Sequence, residues 1–532
     1  MEKMIRRGIS NGKLLRCLLA LIMTAFVTVP LINMFFNMDA ESVHRVLSDK
    51  NIGTVVLRSV TASLMTTVIS LVLAFLLALC LERTAIPCKG LFRILAVLPM
   101  LIPSVSIGMG IVLLFGNNGL ISKLLNLPIG NIYGAKGIIL GSVLYSFPVA
   151  FLMIDNILKL EDSTPYEAAR VLGMNRLHQF VKITLPYLKK PIVVVAFSTF
   201  SLSFTDYGVP LMVGGKYKTL PVLMYQEVIG QLNFGKGCVY GVMLLIPAVV
   251  AFVLDCLNQK KSGTAYVIKP FHNEKNKVRD TVAMIFACCA VLFSCLPILA
   301  FLILSFVKKY PTDMSFTLNN IVNTMRMGGS KYLLNSVLIA ICVSAVGVIF
   351  AIFIAYITAR THSKIGKYLH LLGMSMAAIP GVVLGLSFVL FFNGSPLYGT
   401  LAILVIVNVV HFFASPYVMI YNAFLKVNNN LESVAMTLGI NRARLLVDVL
   451  IPKCMRTVLE MFASFFVNSM MTISAVSFLA NSGTRPIALM INQFEAQAQM
   501  EYAAVISLVI LITNLLIKVL LEWIPSKKEK IS

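Results

Sequence analysis

The chain reads as an all-α integral membrane protein with about twelve transmembrane helices, arranged as two homologous halves of six. Three observations predict this. Apolar residues make up 58% of the 532 residues and charged ones only 13%, far from soluble proportions. The apolar residues fall in runs of about twenty, the length that crosses a bilayer. A polar stretch inside the first half also recurs 266 positions later, half the chain length, which marks an internal repeat.

The first half offers spans near 15–37, 54–81, 92–116, 136–158, 191–213 and 237–257. Lys3, Arg6, Arg7, Lys13 and Arg16 precede the first apolar run, which is long and lacks a small-residue cleavage site. It reads as a retained membrane helix rather than a signal peptide. The second half repeats the pattern near 281–307, 333–359, 369–392, 399–421, 457–480 and 502–522. Between the halves, 258–280 is the most polar stretch of its length, so the domains expected are 1–257, a linker at 258–280, and 281–532.

A net charge of +23 raises the question of nucleic acid, and its distribution answers it. With these spans, 32 of the 45 Lys and Arg fall on one side of the membrane, as the positive-inside rule requires. That side, with both termini and the linker, is expected to be cytoplasmic. The ten cysteines are scattered without metal or redox spacing, so they read as small buried hydrophobes. No Gly-x-x-x-x-Gly-Lys-Ser/Thr run occurs, so any ATP that drives this chain is bound by another polypeptide. No catalytic constellation is visible either, and His411, alone in a span, reads as a packed interior residue.

Residues 162–186 are polar and helix-forming between apolar runs. Thr164 suits a helix cap, Pro165 the first position, and Glu167 completes a capping box. Gly173 ends that helix, Asn175 caps a second, and Pro186 stops it. The second copy, 428–452, has Gly439, Asn441, Arg442 and Pro452 at the matching places. There Ser433-Val434-Ala435 replaces Glu-Ala-Ala, Glu432 lies one place earlier, and Val449 and Ile451 replace Ile183 and Leu185. The acidic charge at the helix start is expected to survive, displaced by one residue.

With Glu167-Ala168-Ala169, Gly173, Ile183, Leu185 and Pro186 at that spacing, the stretch resembles the coupling loop of ATP-binding-cassette importer permeases. Glu432, Ala435, Gly439 and Pro452 carry the weaker second copy. The resemblance implies two type I importer halves fused in one chain, in a bacterial inner membrane. It also implies that each loop docks in a groove of one of two ATPase subunits, which carry ATP and magnesium. The family further implies an extracytoplasmic solute-binding protein. No cofactor, metal or nucleic acid is expected on this chain itself.

The repeat reaches further. Arg83-Thr84 matches Arg360-Thr361, Pro103 matches Pro380 and Gly108 matches Gly385, at a separation of 277. The fifth and eleventh spans carry rows of hydroxyls and amides, including Ser203, Asn468, Ser469 and Thr472. Polar groups at that depth face a bundle interior or a wet cavity, although Ser and Thr can also serve helix packing alone. Asp206 needs a partner or water, which marks it for the translocation path or for a capped helix end. Thr205 to Pro210, Gln231 to Phe234 and Phe466 to Val476 resemble the 2-aminoethylphosphonate branch of fused permeases, whose relatives also carry ferric iron and thiamine. An organophosphonate is therefore the expected substrate, with ferric iron as the alternative. An ion-coupled secondary transporter would need more intramembrane carboxylates and no paired coupling loops.

Overall fold

A computed structural model describes residues 14–124, 132–258, 269, 271, 275–361, 363–428 and 430–528. Most of the expected linker, 258–280, thus lies outside the described residues. The first half contains α1 (Leu14–Phe36), α2 (Ala40–Leu47), α3 (Ile52–Arg83), α4 (Lys89–Val97), α5 (Ser104–Phe115) and α6 (Ala135–Lys159). It continues with α7 (Thr164–Val171), α8 (Arg176–Gln179), α9 (Leu185–Thr205), α10 (Gly208–Val213), α11 (Leu220–Tyr225) and α12 (Phe234–Asn258). The second half opens with α13 (Lys277–Ser305) and a short antiparallel hairpin, β1 (Val307–Lys309) with β2 (Asp313–Phe316). Then come α14 (Ser330–Arg360), α15 (Lys364–Ser375), α16 (Gly381–Phe392), α17 (Leu401–Phe412) and α18 (Ala414–Lys426). The chain finishes with α19 (Asn430–Thr437), α20 (Arg442–Leu445), α21 (Met455–Met471), α22 (Leu489–Ala496) and α23 (Met500–Lys528).

The repeat is visible in the element boundaries. α5 and α16 start and stop 277 residues apart, and each follows a proline, Pro103 or Pro380. α9 and α21 end 266 apart, at Thr205 and Met471. Even the π-turns Phe180–Thr184 and Leu446–Leu450 coincide at that offset. In each half the second helix packs along the fourth, α3 on α6 and α14 on α18.

The span count departs from twelve. Among the described residues seven helices are long and apolar enough to cross a membrane, or nine when two bent pairs each count as one. The expected spans 191–213, 237–257 and 457–480 are not among them: α9 and α21 stop at Thr205 and Met471, and the apolar part of α12, Phe234–Val250, is shorter. The expected span 92–116 is split at Pro103 into α4 and α5. The span 369–392 turns through 111° before Pro380, and 399–421 bends 55° between α17 and α18. Pro416 explains the second bend, since it has no N–H for the Phe412 carbonyl.

The halves interlock through their first helices. α1 packs on α16 of the second half, with Phe26 stacked 6.1 Å from Phe392. α13 packs in return on α3, α4 and α5. Gly110 permits that approach, because a Cβ there would lie 2.6 Å from Pro297 Cβ. Buried polar ties fix the register: the Ser106 and Ser507 hydroxyls meet at 2.8 Å, and Asn514 Nδ2 donates to the Leu101 carbonyl at 3.0 Å.

Candidate functional site: a cavity between the halves and two surface loops

A cavity of about 430 Å³ lies where α9 and α21 end, with matching stretches of both repeats in its wall. The first half contributes Ser104, Tyr145, Ser201, Thr205 and Asp206; the second contributes Gly381, His411, Asn468, Thr472 and Ser474. Tyr145 and His411 are 266 apart, as are Asp206 and Thr472. Asp206, Asn468 and Thr472 all line this cavity. Ser203 and Ser469 do not line this cavity. Ser203 turns toward Ser59 and Ser63 on α3, and both serines are almost fully buried in packing. Sequence reasoning missed Tyr145 and set His411 aside; their common offset was the available signal.

Asp206 has a defined local role. Its Oδ1 accepts the Gly208 N–H at 3.2 Å and its Oδ2 the Val209 N–H at 3.0 Å. The Ser104 hydroxyl also hydrogen-bonds to it. The carboxylate therefore caps α10 while facing the cavity. Thr472 offers no such cap, and residues 474–479 turn without forming an α-helix. Next to the cap the halves exchange a hydroxyl. A Cβ on Gly208 would sit 2.3 Å from Ser104 Oγ, and a Cβ on Gly381 would sit 2.1 Å from Ser474 Oγ. Each half needs one glycine and one serine at this crossing, with the two supplied from swapped segments: serine from α5 and glycine from α10 in the first half, glycine from α16 and serine from the turn after α21 in the second.

Aromatic rings close the α10 side of the cavity. Tyr207 stacks on Tyr225 at 4.8 Å, Tyr225 leans on Phe478 at 6.1 Å, and the Tyr207 hydroxyl meets Ser477 Oγ at 3.1 Å. Tyr207 belongs to the first half and Ser477 to the second, so this seal also spans the interface between the halves.

The second candidate element is the pair of polar loops. In each, two short helices flank a glycine with positive φ, +72° at Gly173 and +68° at Gly439, with open space around both. Asn175 Oδ1 caps α8 through the His178 N–H at 2.8 Å, and Asn441 Oδ1 caps α20 through the Arg444 N–H at 2.7 Å. The capping box is corrected. Thr164 is the first residue of α7, and Asp162 holds that start by accepting its N–H at 3.1 Å. Val171, Leu172 and Leu177 stand exposed on the first loop, and Val434, Met436 and Leu438 on the second. Ile183 is half-buried and Leu185 and Pro186 are exposed; Ala169 and Ala435 pack inward while Ala168 points out.

The two loops are braced differently. Arg360 is buried, pairs with Glu432, and donates to the carbonyls of Phe424, Val427 and Asn428 at 3.2, 2.7 and 2.9 Å. Arg83, its repeat partner, pairs with Glu161, which lies before α7 and also accepts from the Tyr166 hydroxyl. Burial pushes the Glu161 carboxyl up, against the pull of that hydroxyl and of Arg83. Glu167 points outward and forms a 2.8 Å ion pair with Lys269, whose hydrogen bond holds its carboxyl below the usual range. Glu432 is therefore not a displaced Glu167. It turns inward to Arg360, and the second loop presents no equivalent outward carboxylate at its start.

The comparisons agree with this doubled architecture. The family model described as "Binding-protein-dependent transport system inner membrane component" matches twice, at residues 70–261 and 347–530. The chain is 25% identical to the ferric transport system permease protein FbpB of Actinobacillus pleuropneumoniae, over 94% of this chain and 76% of that one. It is 26% identical to a putative ferric transport system permease protein, FbpB 1, of Haemophilus influenzae, over 88% and 78%. The thiamine transport system permease protein ThiP of Escherichia coli K12 is 22% identical over 91% of both chains. The chain belongs to the family of inner membrane components of binding-protein-dependent transport systems, as a multi-pass permease with both halves in one polypeptide.

Proposed function

We propose that this permease conducts a small anionic solute through the cavity between α9 and α21, and that the loops at 162–186 and 428–452 are where two ATPase subunits grip it. One observation carries the reading: a cavity, apolar over much of its wall, in which polar residues of both repeats come together, Asp206 and its repeat counterpart Thr472 among them. The cycle follows from a two-state element. ATP draws the ATPases together, the loops follow, and the halves rock so that the Tyr207–Tyr225–Phe478 seal opens toward an extracytoplasmic binding protein. Hydrolysis returns the halves, and the solute leaves on the cytoplasmic side, the side to which the excess of Lys and Arg assigns both termini and the linker.

An organophosphonate such as 2-aminoethylphosphonate suits the wall. The hydroxyls and amide of Thr472, Ser474 and Asn468 can hydrogen-bond phosphonate oxygens weakly, and weak contacts let a conduit release its cargo. The Asp206 carboxylate can attract the ammonium, sharing it with the α10 cap. The second reading is ferric iron, favoured by the near full-length ferric transport relatives. Among the described residues no three His, Cys, Asp or Glu side chains come together to hold a metal, so iron would cross with its own ligands.

Uptake by a deletion strain carrying the full transporter, assayed with 2-aminoethylphosphonate, ferric iron and thiamine, decides the substrate. Phosphonate uptake that falls several-fold in Asp206→Asn, with membrane abundance and ATPase association unchanged, supports the first reading. Iron uptake alone overturns it. The docking role is tested separately by Gly173→Pro, which should cost co-purification of the ATPase.

A further inference from the structure

Among the described residues the first loop has a component with no counterpart on the second. Lys269 and Phe271, in the stretch that joins the halves, lie directly on it. Phe271 presents its ring to the Arg83 guanidinium at 3.1 Å and meets Tyr166 of α7 edge-on at 4.9 Å. The Ser163 N–H donates to the Lys269 carbonyl at 3.0 Å, and the Lys269 N–H donates to Asp162 Oδ1 at 3.2 Å. The Lys269 ammonium then pairs with Glu167. These contacts gather on the first turn of α7, where Asp162 and Ser163 hold the helix start.

In the second half Arg360 holds the same region through Glu432 and three backbone carbonyls. Among the described residues Arg83 meets Glu161, Tyr166 and Phe271 instead. An aromatic face against a desolvated guanidinium is a substantial contact, whereas an exposed ion pair such as Lys269–Glu167 holds little by itself. The ring is the main brace, and the ion pair sets the charge that α7 displays.

We propose that the linker is a working part of the first coupling unit: Phe271 positions α7 through Arg83 and Tyr166, and Lys269 with Glu167 forms a composite charged surface offered to the ATPase. The two ATPase subunits consequently meet unlike surfaces, one made of loop and linker and the other of loop alone. Joining the halves in one chain thereby contributes to energy coupling as well as to assembly. This rests on the reading of 162–186 as an ATPase-docking loop.

The test uses the full chain co-expressed with its ATPase subunits and reconstituted in phosphatidylethanolamine–phosphatidylglycerol vesicles. ATP hydrolysis per complex and ATPase recovery on co-purification are read together. Phe271→Ala should lower hydrolysis roughly five-fold at normal membrane abundance, the scale of one buried cation–π contact, and Phe271→Tyr should restore it. Lys269→Glu should lower ATPase recovery, and the exchange Lys269→Glu with Glu167→Lys should regain most of it. A general folding defect would not be repaired by that exchange. Wild-type hydrolysis in Phe271→Ala with wild-type recovery in Lys269→Glu overturns the proposal. If Gly173→Pro meanwhile loses the ATPase, the docking reading stands and only the linker's role falls; if Gly173→Pro also keeps it, the docking reading itself is wrong.

Discussion

Around the cavity, the first half carries Ser104, Gly208, Asp206 and Tyr145, where the second carries Gly381, Ser474, Thr472 and His411. Ile102 and Pro103 recur as Ile379 and Pro380 in the wall, yet the four pairs above all differ. The serine–glycine exchange preserves one hydroxyl at one crossing, so there the halves solve the same packing problem from swapped segments. The aspartate–threonine difference is of another kind. Asp206 caps α10, and without that cap the second half forms no helix over 474–479. Duplication thus fixes where the chain turns, while the cavity-facing groups are free to make a pseudo-symmetric frame chemically one-sided.

The largest effect expected from breaking this comparison lies at the loop braces. Arg360→Ala leaves Glu432 and three carbonyls without their buried donor and should cost about 3–5 kcal/mol, read as thermal unfolding of the detergent-solubilised chain. Arg83→Ala should cost less. Glu161 keeps the Tyr166 hydroxyl, and burial already raises its carboxyl. A raised folded-state value means the native state binds the proton more readily, so the Arg83→Ala deficit should shrink as pH falls. Equal deficits that do not change with pH would show that the two arginines are equivalent braces.

Next comes the exchanged hydroxyl. Gly381→Ser alone forces a Cβ against Ser474 Oγ and should cost about 1–3 kcal/mol through overpacking. Adding Ser474→Gly rebuilds the first-half arrangement and should recover most of that loss. A double variant no better than the single would mean the crossing is not a swap. The smallest effect concerns the cap. Asp206→Ala should cost about 1 kcal/mol, while Thr472→Ala, which removes no cap, should stay within about 0.5 kcal/mol.

Much of this was legible in the residues. The repeat offset, Gly173 and Gly439 with their positive φ, and the caps at Asn175 and Asn441 are local signals, and each sits where its sequence pattern puts it. The rows of hydroxyls and amides on α9 and α21 pointed to the cavity that their ends line. Interior contacts between distant segments were less legible. Glu432 looked like a shifted Glu167 because spacing along a helix does not reveal which face meets Arg360, 72 residues earlier. Ser203 and Ser469 looked like cavity residues, but Ser198, Ser201 and Thr205 share one face of α9, and Asn468 and Met471 one face of α21; Ser203 and Ser469 fall off that face, on the packed side. His411 looked like a lone core histidine until its offset partner Tyr145 appeared on the opposite wall.

The central claim is that the C-terminal end of α21, with Thr472 just beyond it, lines the solute's path. Thr472→Cys and Ser469→Cys, each in a cysteine-free background, test it most directly, with an impermeant thiol reagent applied to reconstituted, ATPase-loaded vesicles. The account predicts that Thr472→Cys reacts, that its reaction blocks uptake and slows when transported solute is present, and that buried Ser469→Cys stays unmodified under the same conditions. Equal reactivity at both positions, or full uptake after Thr472→Cys is modified, would contradict it.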